Sequence, residues 1–209
     1  MPLEIAASDP AVVRPRDLRD VYARPSMETR RLSRAGVLLR LAHGYYAIVP
    51  EHLRGVPWRP SVEAVGLAIA QRDHGRDSAA AMGPSAARIL GAIPRALGEA
   101  TIATRRQRPP LNTVVGRVRF VARDVSRLDV QRCETELGSG WVTTPEQTVV
   151  DLADRPELGH LTHSDLAEAV RVLGDRVDWD SVLQLGTAQR KRPAALEAAK
   201  LAGADPSPS

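Results

Sequence analysis

Lysine, cysteine and aromatic residues are scarce in this chain of 209 residues. Lysine occurs only at Lys191 and Lys200, so arginine supplies nearly all of the basic charge. The single cysteine, Cys133, excludes an internal disulfide and a multi-cysteine zinc site. Aromatic residues make up only 3% of the chain, so leucine, valine, isoleucine and alanine must build the core. The hydrophobic content of 43% is sufficient for a folded core.

Long apolar runs are missing too. No segment approaches the roughly 20 apolar residues that cross a bilayer. The first residues, MPLEIAASDPAVV, have neither the basic start nor the apolar stretch of a secretory signal. We therefore expect a cytoplasmic protein with no membrane partner.

Glycine-rich phosphate loops and the H-R-D and D-F-G motifs of protein kinases are also absent. The one G-x-G, in ELGSGW at residues 136–141, fits a tight turn better than a phosphate loop. The sequence predicts no cofactor and no metal, and it identifies no catalytic residue.

The positive charge falls in two blocks. Residues 1–59 contain ten arginines and six acidic residues, and residues 105–132 contain eight arginines and two acidic residues. Residues 133–181 contain three arginines and eleven acidic residues. A GC-rich genome would also favour arginine over lysine. The uneven distribution, however, is typical of a protein that binds a polyanion with part of its surface.

The N-terminal pattern predicts two short helices followed by a hairpin. A first helix starts at Pro15 and continues through RDLRDVYA, with Leu18, Val21 and Tyr22 on one face. A second, METRRLSRA, is predicted to be capped by Ser26 and closed by Gly36.

In residues 37–49, β-branched and aromatic side chains surround His43-Gly44, which predicts a hairpin turning at that pair. The order helix, tight turn, helix, hairpin is that of a winged helix-turn-helix, whose second helix enters the major groove of DNA. Met27 and Leu32 are predicted to face the first helix. The side chains predicted to contact DNA are Arg14, Arg16, Ser26, Thr29, Arg30, Arg31, Ser33, Arg34, Arg40 and His43. An amphipathic helix with a solvated arginine face would show a similar pattern.

The remainder of the chain predicts a mixture of helices and strands. An extended region is expected from about residue 101 to residue 131. Helices are predicted over residues 62–73, capped by Ser61, over residues 84–92, and over residues 146–154, where Thr144 and Gln147 form a capping box. Three more are predicted further along the chain: one after the Thr162/Asp165 pair, one after Asp178, and one from Pro193 to Gly203. The fold class is α+β, with a winged helix-turn-helix over residues 1–56, a larger mixed α/β unit over 57–203 and a frayed tail over 204–209.

The second basic block has three interpretations: a solvated strand face, an accessory DNA contact, or a surface for an acidic partner. Its members are Arg105, Arg106, Arg108, Arg117, Arg119 and Arg123.

Other polar clusters favour structural roles. His160 and His163 are expected in a loop and helix cap, and Cys133 is expected to be structural. Asp151 and Asp154 are expected to be solvated helix charges, with the alternative that Asp151 anchors an arginine.

Three segments together resemble the AbiEi family of antitoxins. LSRAGVLLRLAHGYYAIVP resembles the winged helix of that family, PSAARILGAIP resembles one of its helices, and WVTTPEQTVVDLADRPELG resembles a segment of its C-terminal domain. They occur in the family's order over about residues 15–175. Gln147 stands where the family often has arginine or lysine, so no role of a charge at that position carries over.

The resemblance implies an antitoxin that binds inverted repeats in its own promoter DNA and represses its operon. It also implies a partner, a nucleotidyltransferase-like toxin that the protein counteracts directly or indirectly. We expect a monomer in solution or a dimer on DNA. Two alternatives stay open: an atypical serine/threonine protein kinase that phosphorylates the toxin with ATP and Mg, and a ligand-responsive transcriptional repressor.

Overall fold

The computed structural model describes residues 8–204, and within that range the chain forms seven α-helices and two β-sheets. The predicted α+β class is confirmed. Residues 205–209 of the predicted tail lie outside the described residues.

The smaller sheet has three antiparallel strands in the order β1-β3-β2. These strands are β1 (Val12–Val13), β2 (Leu38–Ala42) and β3 (Tyr45–Ile48). The first α-helix, α1 (Pro25–Arg34), packs on this sheet through Leu32, which is buried with Leu18 and Leu38. The predicted hairpin is confirmed, with His43 and Gly44 forming its turn.

The larger sheet has six strands in the order β6-β7-β5-β4-β9-β8. The strands are β4 (Ala79–Ala81), β5 (Glu99–Thr104), β6 (Leu111–Thr113), β7 (Gly116–Ala122), β8 (Val130–Thr135) and β9 (Gly138–Thr143). The β5–β7 and β4–β9 pairs are parallel and the other three pairs are antiparallel. The sheet is therefore mixed, and its edge strands are β6 and β8.

Helix α2 (Val62–His74) packs across β5 and β7 and is buried along most of its length. Gly66 makes the close approach possible, since a Cβ there would lie 3.0 Å from Ile102 and 3.1 Å from Val118. The predicted helix behind Ser61 is confirmed, because the Ser61 hydroxyl accepts the backbone N–H of Ala64. The core of the protein therefore lies between α2 and the large sheet.

The remaining helices form a second apolar cluster beside the large sheet. They are α3 (Pro84–Ile89), α4 (Pro145–Asp154), α5 (His163–Gly174), α6 (Trp179–Ala188) and α7 (Arg192–Ala202). The predicted caps of Thr162 on α5 and Asp178 on α6 are confirmed, and Gly203 ends α7 in the left-handed conformation with φ +74°.

The two sheets share one core. Val12, Leu41 and Ala47 of the small sheet belong to the same buried cluster as α2 and β5. The backbone N–H of Val114 also donates to the carbonyl oxygen of Leu41 at 2.9 Å. The orientation of the hairpin relative to the large sheet is therefore held by buried contacts.

Several predictions about the N-terminal helices are wrong. Residues Pro15–Leu18 form one 3₁₀ turn in place of a longer helix, and Val21 is 38% exposed. Ser26 does not cap α1, because Pro25 takes the first helical position and the cap moves to Arg24. Met27 is 60% exposed and so does not face the preceding turn.

The predicted capping box at α4 forms only in part. The Thr144 hydroxyl accepts the N–H of Gln147, as expected. The Gln147 side chain does not return to the backbone of Thr144; its oxygen accepts the N–H of Asp129 at 3.3 Å. Gln147 thus joins α4 to the segment before β8.

None of the helices over residues 8–204 combines the length and the hydropathy that crossing a bilayer requires.

Phe120, the only phenylalanine, gives a test of the core. It is fully buried on β7, and the Arg108 guanidinium lies 4.3 Å from its ring centroid. We expect Phe120→Ala to lower the free energy of unfolding by about 3–5 kcal/mol, since it leaves a cavity. Leu196→Ala, at a side chain that is 41% exposed, is the control, with an expected loss below about 1 kcal/mol. Urea unfolding followed by circular dichroism measures both, and similar losses would contradict the assigned core.

Candidate nucleic-acid interface

A groove of about 330 Å³ lies between α1 and the β2–β3 hairpin. Most of its lining side chains are polar or basic, and many of them are residues that the sequence assigns to DNA contact. The lining residues are Pro15, Ser26, Thr29, Arg30, Ser33, Arg34, Arg40, His43, Gly44 and Tyr46.

Helix α1 presents Arg30 and Arg34 together because residues four apart lie on the same face. Leu32 points the other way into the core, and it holds the helix against the small sheet. Gly36, with φ +69°, ends the helical segment and directs the chain into β2. The two arginines therefore project from a helix whose rotation is set by its buried side.

The hairpin supplies the second wall of the groove. Arg40 on β2 pairs with Tyr46 on β3, and the register shifts between Arg40 and Ala42. This bulge leaves Arg40 exposed while Leu41 and Ala42 are both buried. His43 and Gly44 form the turn, where Gly44 adopts φ +82°.

The basic side chains of the groove are not neutralised. Among residues 8–204, Arg30, Arg34 and Arg40 form no ion pair, and all three are exposed. Three guanidinium groups without carboxylate partners produce a positive potential over the groove. Such a surface attracts phosphate, and the planar guanidinium can also pair with base edges.

Two of the predicted DNA contacts are engaged inside the protein. Arg14 is 15% exposed at its side chain, and it donates to Asp17 and, at 2.6 Å, to Asp73. Thr29 is fully buried, and its hydroxyl donates to the carbonyl oxygen of Ser26 at 3.2 Å. Both side chains are therefore bound mainly within the protein.

Two further predicted contacts lie beside the groove. Arg31 points away from it and forms a bidentate ion pair with Glu28. Arg16 is 61% exposed, lies 3.6 Å from Asp73, and lines a smaller concavity together with His43. The residues that the structure brings together are thus Ser26, Arg30, Ser33, Arg34, Arg40 and His43.

Most of the second basic block forms ion pairs within the protein. Arg117 and Arg119 pair with Glu99, which is almost fully buried on β5. Arg108 pairs with Asp73 at 2.6 Å and Arg123 with Asp151 at 3.3 Å. Within residues 8–204, Arg105 and Arg106 are exposed members of the block that form no ion pair.

Asp73, at the end of α2, is a hub that the sequence patterns do not reveal. Its carboxylate accepts from Arg14, Arg108 and the Tyr45 hydroxyl, each at 2.6 Å. Its side chain is only 10% exposed. Burial and the Asp73 carboxylate together raise the pKa of Tyr45. The hub therefore ties the N-terminal segment and the hairpin to α2.

Asp17 extends this network. Its carboxylate accepts from Arg14 and from the Nε–H of Arg72 on α2, the latter at 2.8 Å. Burial acts to raise the pKa of Asp17, but the hydrogen bonds from Arg14 and Arg72 outweigh it and the pKa is lowered. Asp17 is therefore ionised at neutral pH and supports the turn that replaces the predicted first helix.

Asp151 is fully buried, so the prediction of a solvated charge is wrong for this residue and the alternative, an anchor for an arginine, is confirmed. Its Oδ1 accepts from Arg123 and from the Gln147 side chain, and Lys191 lies 3.7 Å away. Burial nevertheless raises the pKa of Asp151. The sequence signal that could have indicated this role is the position of Asp151 within an apolar run of α4, directly between Val150 and Leu152.

The remaining polar residues that the sequence analysis considered do not form a binding or catalytic site among residues 8–204. His160 lies in a 3₁₀ turn before α5, and His163 is the first residue of that helix. Cys133 is half-buried on β8, where burial raises the pKa of its thiol. In the part of the chain that the structure describes, no three histidine, cysteine or acidic side chains group as metal ligands would.

The Asp73 hub can be tested by substitution. Asp73→Asn removes the buried counter-charge of Arg108 and one of the two that Arg14 has, the other being Asp17, so we expect a loss of about 3 kcal/mol in the free energy of unfolding. Glu197→Gln is the control, because its 3.8 Å pair with Lys200 is at the surface and contributes less than about 1 kcal/mol. Urea unfolding at pH 7 measures both changes. An Asp73→Asn midpoint equal to that of the unmodified protein would show that the hub is not required.

No protein-family model matches this chain, and no curated protein matches it significantly. The resemblance to the AbiEi antitoxins therefore stays a prediction from the sequence motifs.

Proposed function

We propose that this protein is a DNA-binding repressor in which residues 1–56 form a winged helix-turn-helix. Helix α1 would lie in the major groove and the β2–β3 hairpin would be the wing. The observation that carries the proposal is the groove between them, where Arg30, Arg34 and Arg40 have no carboxylate partner among residues 8–204. A surface of this kind is stabilised by a polyanion.

The dimensions of α1 support its role as the recognition helix. Ten residues form a helix of about 15 Å, and with its side chains an α-helix is about 10–12 Å across, which fits the major groove, about 12 Å wide. Arg30 and Arg34 lie one turn apart and can each pair bidentately with guanine. Ser26 and Ser33 lie in the same groove and can bond to bases or phosphates.

The hairpin and the preceding turn are suited to backbone contacts. Arg40 and His43 are exposed on the hairpin, beside the groove. Arg16 lines the neighbouring concavity with His43 and Gly44. These three side chains would bind phosphates next to the bases read by α1, and so orient the protein without reading sequence.

The proposed biological role is that of an antitoxin that represses its own operon. It is supported by the three ordered AbiEi-like motifs, of which the first covers the last turn of α1 and the hairpin. The proposed partners are promoter DNA with inverted repeats, bound by one copy per repeat, and a nucleotidyltransferase-like toxin. Arg105 and Arg106 are the exposed cations of the second block that are available for an acidic partner.

DNA binding can be tested with two arginine variants of the same helix. We expect the double variant Arg30→Ala, Arg34→Ala to raise the Kd for its own promoter DNA by about 30-fold or more, since each lost base contact costs about 1–3 kcal/mol. Fluorescence anisotropy with a labelled promoter duplex and an unrelated duplex as competitor measures the change.

Arg31→Ala is the matched control for that experiment, because Arg31 is on α1 but pairs with Glu28 outside the groove. We expect its Kd to change by less than about fivefold, with both variants melting at the temperature of the unmodified protein. An unchanged Kd in the double variant, or an equal loss in Arg31→Ala, would contradict the proposed recognition face.

The antitoxin role predicts a separate result in cells. Co-expression of this protein with a nucleotidyltransferase-like toxin encoded beside its gene should restore growth, and mass spectrometry should find the toxin unmodified. Loss of rescue upon Arg105→Ala with Arg106→Ala would place the contact on the second block. Growth arrest despite co-expression would contradict the antitoxin role, and a gain of phosphoryl mass on the toxin with ATP and Mg would replace it by the kinase alternative.

A further inference from the structure

A second cleft, of about 480 Å³, lies where the chain enters α2 from the small sheet. Its polar walls come from Arg59 and Ser61 ahead of the helix, from Glu63 in its first turn, and from Arg88 on α3. Its volume falls within the range of about 300–1,000 Å³ that is typical of small-molecule sites. None of these residues belongs to the groove beside α1.

Glu63 is the unusual group in this cleft. Its side chain is 3% exposed, and its Oε1 has no hydrogen-bond donor among residues 8–204. The nearest cation is Arg88, whose Nε lies 3.5 Å from that oxygen. Burial raises the pKa of Glu63, which the charge of Arg88 only partly opposes. A buried carboxylate oxygen without a donor is costly, and a ligand ammonium group would relieve that cost.

The guanidinium groups of Arg59 and Arg88 line the cleft together with Glu63, and both have N–H donors that no acceptor among residues 8–204 uses. Arg59 donates from Nη1 to the carbonyl oxygen of Val114 at 3.1 Å, and Arg88 donates from Nη1 to that of Pro94 at 3.2 Å. Apart from the Nε of Arg88, which forms the ion pair with Glu63, the other guanidinium nitrogens of both side chains have no hydrogen-bond acceptor among residues 8–204. This is the arrangement that binds a carboxylate.

The rest of the cleft is apolar. Leu97 and Val115 line it, and Val114, which also lines it, is 48% exposed. A ligand that complements Glu63, the two guanidinium groups and the apolar lining has an ammonium group, a carboxylate and a short aliphatic body. We propose that this cleft binds a free α-amino acid with an aliphatic side chain.

A nucleotide fits the cleft less well. Its lining contains no aromatic side chain on which a base could stack. The carboxylate of Glu136 also lies beside the cleft, where it accepts from the backbone N–H and hydroxyl of Ser61. Together with Glu63 it would repel a phosphate dianion, whereas a zwitterion carries the positive group that Glu63 needs.

The cleft is connected to the hairpin by hydrogen bonds. The carbonyl oxygen of Val114 accepts from Arg59. The backbone N–H of Val114 donates to the carbonyl oxygen of Leu41 on β2, the residue next to Arg40. A ligand carboxylate bound by Arg59 would share this guanidinium group with the carbonyl oxygen of Val114 and so pull on the same side chain. An effect of the amino acid on DNA binding follows from this connection, and this part of the inference rests on the function proposed above.

The site can be tested with L-leucine and two matched probes. We expect L-leucine to bind the full chain with a Kd of about 1 mM or tighter, as its size allows, and to shift the NMR amide signals of Leu97, Val114 and Val115. The probe 4-methylpentanoate lacks the amine and 3-methylbutylamine lacks the carboxylate, so each should bind at least tenfold more weakly. No shift with L-leucine, L-isoleucine, L-valine or L-methionine at about ten times that Kd would overturn the proposal, as would equal binding of 4-methylpentanoate.

Two variants assign the binding to this cleft. Glu63→Gln should weaken L-leucine binding at least tenfold, and Arg59→Ala, at an exposed side chain, tests the cleft even if Glu63→Gln fails to fold. Arg95→Gln is the control, because Arg95 lies outside the cleft and pairs with Asp165. Unchanged binding in Arg59→Ala would overturn the site.

A promoter titration with and without L-leucine separates the two proposals. If this protein binds both L-leucine and DNA but L-leucine does not change its affinity for DNA, only the connection to the hairpin is overturned. If the chain does not bind DNA at all, the amino-acid site still stands or falls on the NMR result.

Discussion

The carboxylate of Asp73 is the contact on which the arrangement of this protein depends. It stands at the end of a buried helix and accepts from Arg14 of the N-terminal segment, from Tyr45 of the hairpin and from Arg108 of the large unit. Because these donors come from three distant parts of the chain, this carboxylate acts together with the buried apolar contacts of the small sheet to hold the hairpin over the large sheet. With a side chain that is only 10% exposed, the group is little screened by solvent, so its partners are strongly held.

The same kind of interaction decides which arginines remain available for binding. Buried or half-buried carboxylates take up many of the arginines in both basic blocks; examples are Glu99 with Arg119 and Asp151 with Arg123. On α1, Glu28 binds Arg31, while Arg30 and Arg34 have no carboxylate partner among residues 8–204. The charge that a polyanion would meet is therefore smaller than the arginine content suggests, and it includes the three unpaired arginines at the groove between α1 and the hairpin.

Local signals predicted much of the architecture, since they act over a few residues. Ser61 and Asp178 cap helices because a side-chain oxygen needs only a nearby backbone N–H, and Gly44 permits the hairpin turn through its positive φ. In place of the longer first helix that the pattern predicts, the chain forms a 3₁₀ turn in which Asp17 accepts from Arg72, 55 residues away. No spacing rule could have found a partner at that distance.

For the candidate interface, the sequence by itself determined the face of α1 that carries Arg30 and Arg34 and the hairpin that carries Arg40 and His43. Helical periodicity and turn chemistry are sufficient for that, because both are local. Only the tertiary structure decided that Arg14 is an internal ion-pair partner, that Thr29 is buried, and that Glu63 lines a cleft while its Oε1 has no donor among residues 8–204. Burial and ion pairing depend on which distant segments meet, and that is a property of the packed chain.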